Sequence, residues 1–329
     1  MRFIIYGAGG IGGTIGARLF QHGQEVILIA RGPHYQAVKD QGLVFNSPIE
    51  SVTLPIPCVD HPSNIEFTSQ DVVLLAMKSQ HTREALEALR DDAGADIPVI
   101  CAQNGVDNER AASRRFNRVY GMVVLLPASH FDPGVVQTEA KTTTGILDIG
   151  CYPNGTDALC EEVAKILSSS QFDAIADPAI MRWKYAKLLV NLGNSLQAVC
   201  EAGEAGADIY RMLMREAVAC YKAAGIDCAS RDEVTERRGD IIQSAPGKGE
   251  NRGGGSSWQS IVRGTGSIES DYLNGEIVLL GKLHGVITPA NSVLQQLANQ
   301  LAVERGKPGS YQVEDVKNLI VKAGGKFSD

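Results

Sequence analysis

A lysine and two asparagines interrupt an otherwise apolar stretch, KLLVNLGNSL at residues 187 to 196. On a helix, which turns by about 100° per residue, Lys187, Asn191 and Asn194 fall on one side. Leucine and valine cover the remaining sides, so burial is expected, and a buried ammonium and amides need polar partners. In an enzyme that partner can be the substrate. A solvated polar stripe on an amphipathic helix explains the spacing equally well.

A second polar group lies in the segment GGGSSWQSIVRGTGSIESDYLNGEIV. Ser256 and Ser257 follow its glycines, and Glu269 precedes a run with helical apolar spacing. Gly275 falls inside that predicted helix, where glycine lowers stability, so we expect close packing against another element. A Glu269 carboxylate facing Lys187 would offset the desolvation of both charges.

Closely spaced glycines stand near the N-terminus, in the pattern Gly7-x-Gly9-x-x-Gly12. They follow a predicted strand and open a predicted helix, which is the context of a dinucleotide site. Gly7 permits a tight turn, Gly9 lets the backbone approach a pyrophosphate, and Gly12 allows the helix to pack on the strand. With Gly10 and Ile11, these residues form the predicted cofactor turn.

Polar residues also end three predicted strands. Arg31 ends the second strand, where an NAD site keeps an acidic residue, and its guanidinium suits the 2′-phosphate of NADPH. The competing interpretation is a solvated loop arginine. Lys78 and Asn104 follow two later strands, at the sheet edge where ligands of α/β proteins collect. A loop-capping role explains either residue taken alone.

The elements that must position these residues change along the chain. RFIIYG, EVILIAR, DVVLLAMK and IPVICAQNG read as parallel strands with helices between them. Strands after residue 119 are expected to finish the sheet, partly antiparallel. Helices are predicted at 180–201, 205–224, 230–243, 268–284 and 289–304. We therefore expect an α/β fold class, with a nucleotide-binding domain at 1–179 and a helical domain at 180–329.

Bulk composition narrows the function classes. A chain of 329 residues exceeds one ordinary core, which favours two domains. A net charge of -7 argues against a nucleic-acid or anionic-lipid surface. The absence of a long apolar run predicts a cytoplasmic protein without membrane contact. Seven cysteines without a CxxC pair predict reduced thiols and no metal site.

Taken in order, the motifs resemble those of the ketopantoate reductase family (2-dehydropantoate 2-reductase). The matching stretches are IIYGAGGIGG, MKSQHT, QNGVDNE, WKYAKLLVNLGN and SSWQSIVRGTGSIESDYLNGEIV. The resemblance runs from residue 1 to about residue 304. It implies a Rossmann domain, an all-helical C-terminal domain, an active site in the cleft between them, and NADPH-dependent reduction of a 2-keto acid.

The resemblance also assigns roles. Lys187 corresponds to the catalytic lysine of the family, and Glu269 to the glutamate of its conserved motif. Lys78 and Asn104 match positions beside the nicotinamide and the substrate. Glu109 belongs to the matching QNGVDNE stretch.

The residues expected to line the substrate site, called the substrate wall below, partly match the family pattern and partly differ from it. Asn191 and Ser257 match substrate-binding positions. The family spacing N-x3-N would put a second asparagine at residue 195, where this chain has Ser195, and Asn194 falls one position early. Trp258 replaces a methionine of the family pattern.

Direct hydride transfer from NADPH to the C2 carbonyl of ketopantoate is the reaction that the resemblance implies. Lys187 would assist the developing oxyanion, Glu269 would orient the lysine or bind a hydroxyl, and a loop at about 244–258 would close over the ligand. The altered wall keeps open a different 2-keto acid as substrate, and a non-catalytic NADPH-binding module is the alternative from another class. A homodimer through the C-terminal helices accounts for apolar residues in 273–301, as does core packing.

Overall fold

The computed structural model describes residues 1–200, 203–243 and 254–327. Its contacts divide the chain into two compact units. Unit 1 contains Met1–Gln103, Asn108–Lys184 and residues 230–243. Unit 2 contains Asn104–Asp107, Tyr185–Ala229 and the described residues after 253. Within the described ranges, no helix combines the length and apolar character needed to span a bilayer.

Unit 1 is built on strands numbered here along the chain. They are β1 Arg2–Tyr6, β2 Glu25–Ile29, β3 Leu43–Asn46, β4 Ser51–Leu54, β5 Cys58–Val59, β6 Asp71–Leu75, β7 Val99–Cys101, β8 Val119–Leu125, β9 Ala128–Ser129, β10 Val135–Thr138 and β11 Ile146–Cys151. The main sheet has the order β11-β8-β7-β6-β1-β2-β5, and a small second sheet has the order β4-β3-β10-β9. The main sheet is parallel except for β11, which pairs antiparallel with β8. The predicted parallel sheet, finished partly antiparallel, is confirmed for β8 and β11. The expectation that the strand at Val135–Thr138 also finishes this sheet was wrong, because β10 pairs with β3 and β9 in a second sheet that was not predicted.

The helices, numbered in the same way, are α1 Gly10–Gln21, α2 Gly32–Gln41, α3 Thr82–Ala93, α4 Asp107–Ser113, α5 Ala158–Ser169, α6 Ile180–Asn191, α7 Gly193–Cys200, α8 Ala207–Ala224, α9 Arg231–Arg238, α10 Ser256–Val262, α11 Asn274–His284, α12 Pro289–Val303 and α13 Val313–Lys322. Short 3₁₀ turns occur at Pro62–Asn64, Ser79–His81, Gly203–Gly206 and Glu269–Tyr272.

The main sheet of unit 1 has a hydrophobic core on each face, and successive side chains of a strand belong to opposite cores. Phe3 and Ile5 of β1 join one buried cluster, which includes residues of α1 and α5. Ile4 between them joins the other cluster, with residues of α3. Successive strand side chains point to opposite faces, so a run of apolar residues requires cover on both. The predicted Rossmann-type α/β architecture is confirmed.

All regular secondary structure in the described residues of unit 2 is helical. Helix α12 contacts α7, α8 and α11, and α8 also contacts α7 and α11. These helices bury apolar side chains such as Leu196, Leu213 and Ile277. The close packing expected at Gly275 is observed, because a β-carbon there would lie 2.8 Å from Nε2 of Gln295 on α12. This confirms the helical character predicted for the C-terminal part.

Several predicted helix boundaries were wrong. The helix predicted at 180–201 is two helices, α6 and α7, separated at Leu192. The one predicted at 230–243 ends at Arg238, because Gly239 takes a left-handed φ of 42°. The one predicted at 268–284 starts with a 3₁₀ turn, and α11 begins at Asn274. Helices α10 and α13 were not predicted.

The loop predicted to close over a ligand, at about 244–258, falls partly outside the described residues, which omit 244–253. Its last residues, 256–258, form the first turn of α10. Residues 230–243 pack with unit 1, which the sequence boundary near 179 does not anticipate.

Candidate active site

The turn between β1 and α1 has the geometry that a bound pyrophosphate requires. Gly7 has a φ of 102°, and a β-carbon on it would lie 2.5 Å from the backbone nitrogen of Met77. A β-carbon on Gly12 would lie 2.2 Å from the carbonyl oxygen of Gly7. Around Gly9, by contrast, a β-carbon would meet nothing within 4 Å among the residues that the structure describes. Gly7 thus permits the tight turn, Gly12 permits the close packing of α1, and Gly9 leaves open space for a ligand.

Helix α1 starts at this turn and directs its amide groups toward that space. Gly9 is its N-cap, Gly10 its first residue and Ile11 its second. No side chain caps the helix, and its first turn contains no acidic residue. Free amides and the positive end of the helix dipole are suited to a diphosphate. The structure thus brings together all the predicted residues of the cofactor turn.

Arg31 follows β2 and forms the N-cap of α2. Its side chain is 59% exposed, and its Nη1 lies 3.9 Å from a carboxylate oxygen of Glu84, which is 80% exposed. An ion pair this long and this exposed holds the guanidinium weakly. Arg31 therefore has the charge and accessibility to bind a 2′-phosphate.

Two further loops leave the carboxyl edge of the sheet. Lys78 caps the 3₁₀ turn after β6, in extended backbone, and is half-buried. Asn104 comes shortly after β7 and is also half-buried, although its contacts place it in unit 2. Because β6 and β7 are parallel neighbours, both loops start from the same edge of the sheet.

A buried polar network next to these loops was missed by sequence reasoning. Gln103 Nε2 donates to Met77 O at 3.0 Å and to Thr82 Oγ1 at 2.7 Å. Thr82 donates to Asn108 Oδ1 at 2.8 Å, and Asn108 Nδ2 donates to Ser79 Oγ at 3.1 Å. The side chains of Gln103, Thr82, Asn108 and Ser79 are all buried. These hydrogen bonds connect Met77 and Ser79, on either side of Lys78, with Gln103, which directly precedes Asn104.

Sequence reasoning also missed the role of Lys184. Its Nζ lies 2.5 Å from Oε1 of Glu109, and the two side chains are 2% and 0% exposed. Burial raises the pKa of the Glu109 carboxyl, and the lysine opposes that rise. The only sequence signal was a second lysine three positions before Lys187, in WKYAK.

In unit 2, Lys187 and Asn191 lie on α6, four residues apart, while Asn194 lies on α7. The prediction that one uninterrupted helix carries all three was wrong. Asn274 Nδ2 donates to the carbonyl of Leu192 at 3.3 Å, at the point where the helix breaks. A hydrogen bond from outside the helix competes there with the regular backbone bonds.

Two predicted substrate positions carry buried polar atoms that have no hydrogen-bond partner among the described residues. Asn191 is 9% exposed and Ser257 only 1% exposed. Neither Nδ2 of Asn191 nor Oγ of Ser257 has a partner within residues 1–200, 203–243 and 254–327. A buried orphan of this kind costs about 1–3 kcal/mol, and such groups are rare in native proteins. Both atoms are therefore suited to meet a polar ligand.

Glu269, the other residue predicted to be catalytic, is 3% exposed at the start of its 3₁₀ turn. Ser256 Oγ lies 3.4 Å from its Oε2. Lys187 is half-buried. Asn194 lies beside Gly255, where a β-carbon would come 2.7 Å from the Asn194 Oδ1.

Ser195 belongs to an internal network. It is fully buried, and its hydroxyl donates to Asn274 Oδ1 at 2.6 Å. Asn274 donates to Asn291 Oδ1, and Asn291 donates to Glu216, whose carboxylate also accepts the first amides of α12. The Ser195 proton is thus committed inside the helical unit.

Cys151, Asp157 and Cys160 form the one cluster of metal-ligand types found among the described residues. The two sulfur atoms are 3.9 Å apart. Burial raises the pKa of the Cys160 thiol to about 12, and Asp157 accepts hydrogen bonds from Tyr120 Oη and from the Cys160 amide. Protonated thiols and an engaged carboxylate make this a hydrogen-bonded cluster of unit 1.

The chain matches two known sequence families along most of its length. The family described as Ketopantoate reductase PanE/ApbA matches residues 3–154, and its C-terminal counterpart matches residues 179–302. Among curated proteins, the 2-dehydropantoate 2-reductase of Pyrococcus horikoshii is 31% identical over 304 residues, covering 90% of this chain and 96% of the relative. That of Pyrococcus abyssi is 28% identical, with coverages of 93% and 100%.

Solved structures show the same fold. A PanE/ApbA family ketopantoate reductase from Ralstonia eutropha has a TM-score of 0.78 at 27% identity, covering 93% of this chain and 99% of that one. D-mandelate dehydrogenase with NADH and anilino(oxo)acetate has a TM-score of 0.80 at 24% identity, with the same coverages. At that identity the second similarity concerns the fold alone.

Proposed function

The chain belongs to the ketopantoate reductase family, and on that premise we propose that it reduces 2-dehydropantoate to pantoate with NADPH, a step of pantothenate and coenzyme A biosynthesis. The observation that carries the proposal is the pair of unsatisfied buried atoms, Asn191 Nδ2 and Ser257 Oγ. They lie in the helical unit that also holds Lys187 and Glu269. Such a site offers hydrogen bonds and a positive charge to a small anionic keto acid.

NADPH fits the residues of unit 1. The open space at Gly9 and the first amides of α1 suit the pyrophosphate, and Arg31 suits the 2′-phosphate. Gly7, Gly10, Ile11 and Gly12 shape this turn, and Lys78 and Asn104 are proposed beside the nicotinamide. When bound, NADPH supplies the hydride.

The roles of the residues in the helical unit follow from the charge that develops on the C2 oxygen. We assign to Lys187 the stabilisation of that oxygen and the transfer of a proton to it. Glu269 is proposed to orient Lys187 or to bind a substrate hydroxyl. Asn104 and Asn191 are proposed to bind the substrate by hydrogen bonds.

The other wall residues follow from their contacts. Ser257 and Asn194 are proposed as ligands of the carboxylate or hydroxyl groups. Ser195, committed to Asn274, is proposed to contribute to the wall through that bond. On this scheme residues 1–179 bind the cofactor, and residues 180–329 bind the substrate and provide the surface of a homodimer in the cytoplasm.

The hydrogen bond from Ser195 to Asn274 favours a second candidate substrate for the same reaction. With its proton bound to Asn274, the wall offers one donor fewer to a substrate hydroxyl. A 2-keto acid without the 4-hydroxyl of 2-dehydropantoate would then be reduced as well or better.

A steady-state assay tests both candidates. Purified protein is incubated with NADPH and 2-dehydropantoate, 2-ketoisovalerate or pyruvate, and NADPH absorbance is followed. A kcat/KM highest for 2-dehydropantoate supports the first candidate, and a preference for another keto acid supports the second. Tight NADPH binding without turnover of any keto acid would contradict both and indicate a non-catalytic NADPH-binding module.

A further inference from the structure

The buried ammonium group of Lys184 has several polar partners besides the Glu109 carboxylate. Besides Glu109, its Nζ donates to the carbonyl oxygens of Cys101 at 3.2 Å, Gln103 at 3.0 Å and Met122 at 3.3 Å. Cys101 ends β7, Gln103 lies in the following loop and Met122 belongs to β8. One ammonium group therefore holds two neighbouring strands and the start of a loop.

The close approach of α6 to the sheet accommodates this contact. A β-carbon on Gly121 of β8 would come within 3.4 Å of Lys184 Cδ and within 3.3 Å of Ile180 Cγ2. A charge buried this deeply is disfavoured unless it is paired and hydrogen-bonded. Glu109 supplies the opposite charge, and the carbonyls satisfy the N–H groups.

The carbonyls that Lys184 binds belong to the chain segment that leads to Asn104. The backbone of Gln103 is held by Lys184, and its side chain is held by Met77 O and Thr82. Met77 directly precedes Lys78, and Ser79, which directly follows it, bonds to Asn108 next to Glu109. The ion pair and the polar network thus form one connected set between the two loops.

Resting on the proposed function, we propose that Lys184 and Glu109 are positioning residues for the reduction. They fix the backbone after β7 and, through Gln103, the loops that carry Lys78 and Asn104. Neither residue contacts the reacting atoms in this scheme. Lys184 acts on turnover by holding Cys101 and Gln103, and Glu109 acts by holding Lys184.

The test uses Lys184→Met and the double variant Lys184→Met/Glu109→Gln in the full-length chain. The single variant leaves the buried Glu109 carboxylate without the opposite charge of Lys184, and its Tm is expected to fall. The double variant removes that charge and is expected to regain most of the lost Tm. It still lacks the ammonium that binds the carbonyls, so its kcat/KM with NADPH and keto acid is expected to fall by about 10- to 100-fold.

Hydrogen exchange measures positioning without relying on activity. Ala102 N–H donates to Leu75 O at 2.9 Å, next to the carbonyls that Lys184 holds. We expect faster exchange in the peptide covering residues 99–108 of the double variant. Binding of 2′-phospho-ADP-ribose, which lacks the nicotinamide, is expected to stay within about threefold of wild type because the glycine turn is untouched.

Arg2→Met is the matched control. Arg2 Nε lies 2.6 Å from Asp71 Oδ1, and this ion pair joins the amino ends of β1 and β6. The control is expected to lower Tm while leaving exchange in 99–108 and kcat/KM near wild type.

The outcomes separate this inference from the proposed function. Recovery of both stability and kcat/KM in the double variant would overturn the positioning role, as would lost turnover with wild-type exchange in 99–108. If the wild-type enzyme reduces no keto acid, the proposed function fails. Exchange in the double variant and the control then decides whether the ion pair fixes the loop.

Discussion

Replacing Ser257 by alanine should make the free protein more stable and the enzyme worse. Ser257 is 1% exposed, and its hydroxyl has no hydrogen-bond partner in the described part of the chain. Leaving such a group unsatisfied costs about 1–3 kcal/mol, and we take the low end because its removal leaves a small void. For domains of this size about 1 kcal/mol corresponds to roughly 2–4 °C, so the Tm of ligand-free Ser257→Ala should rise by that amount.

The same change should weaken transition-state binding. A hydrogen bond to a charged group contributes about 1.5–3 kcal/mol, so loss of the Ser257 bond to a substrate carboxylate should lower kcat/KM by about 10- to 150-fold. Thermal unfolding without ligand and steady-state kinetics with 2-dehydropantoate measure the two effects on one preparation.

Ser260 provides the control on the same helix. It is 3% exposed, but its hydroxyl donates to Ser256 O at 3.0 Å. Ser260→Ala should therefore lower Tm and leave kcat/KM within about twofold of wild type. If Ser257→Ala instead lowers the ligand-free Tm and keeps wild-type kcat/KM, the unsatisfied hydroxyl is not a substrate ligand.

Three other predictions test separate parts of the molecule. Lys187→Ala should reduce the single-turnover rate by at least about 100-fold while NADPH still binds, and a near wild-type rate would exclude the proton-donor role. Arg31→Ala should lower kcat/KM for NADPH by about 10-fold and leave NADH turnover unchanged, with Glu84→Gln as the control; an unaltered NADPH preference contradicts the 2′-phosphate assignment. Burial lowers the pKa of His34 from 6.5 to about 4. The contribution of neutral His34 to the free energy of unfolding is therefore complete above pH 6.5 and decreases as the pH falls toward 4. In denaturant titrations at each pH, the free energy of unfolding of His34→Gln should fall less steeply over that range. Equal slopes would refute the assignment.

Local patterns predicted much of unit 1. The glycine spacing, the apolar run of β1 and the position of Arg31 are features of contiguous sequence. The structure places the first two in one strand, turn and helix, and it places Arg31 between β2 and α2. Contacts distant in sequence account for what was missed. The break after Asn191 involves Asn274, 82 residues from Leu192, and the committed hydroxyl of Ser195 depends on the same asparagine. Periodicity carries no information about such partners, because it reports only which face of an element is buried.

The two lysines of WKYAK are a second case in which periodicity does not identify the partners of a side chain. Their contacts in the structure distinguish them. Both are cations on α6, which also carries Arg182, and residue type alone does not separate them as proton donors. The N–H groups of Lys184 are bound to three carbonyl oxygens beside the Glu109 carboxylate, and its side chain is 2% exposed. A proton held in this way can reach a substrate only after several buried bonds break, which opposes a catalytic role. Lys187 lies on the same helix, is half-buried and belongs to the helical unit, and it is the lysine that we propose as the proton donor to the substrate carbonyl.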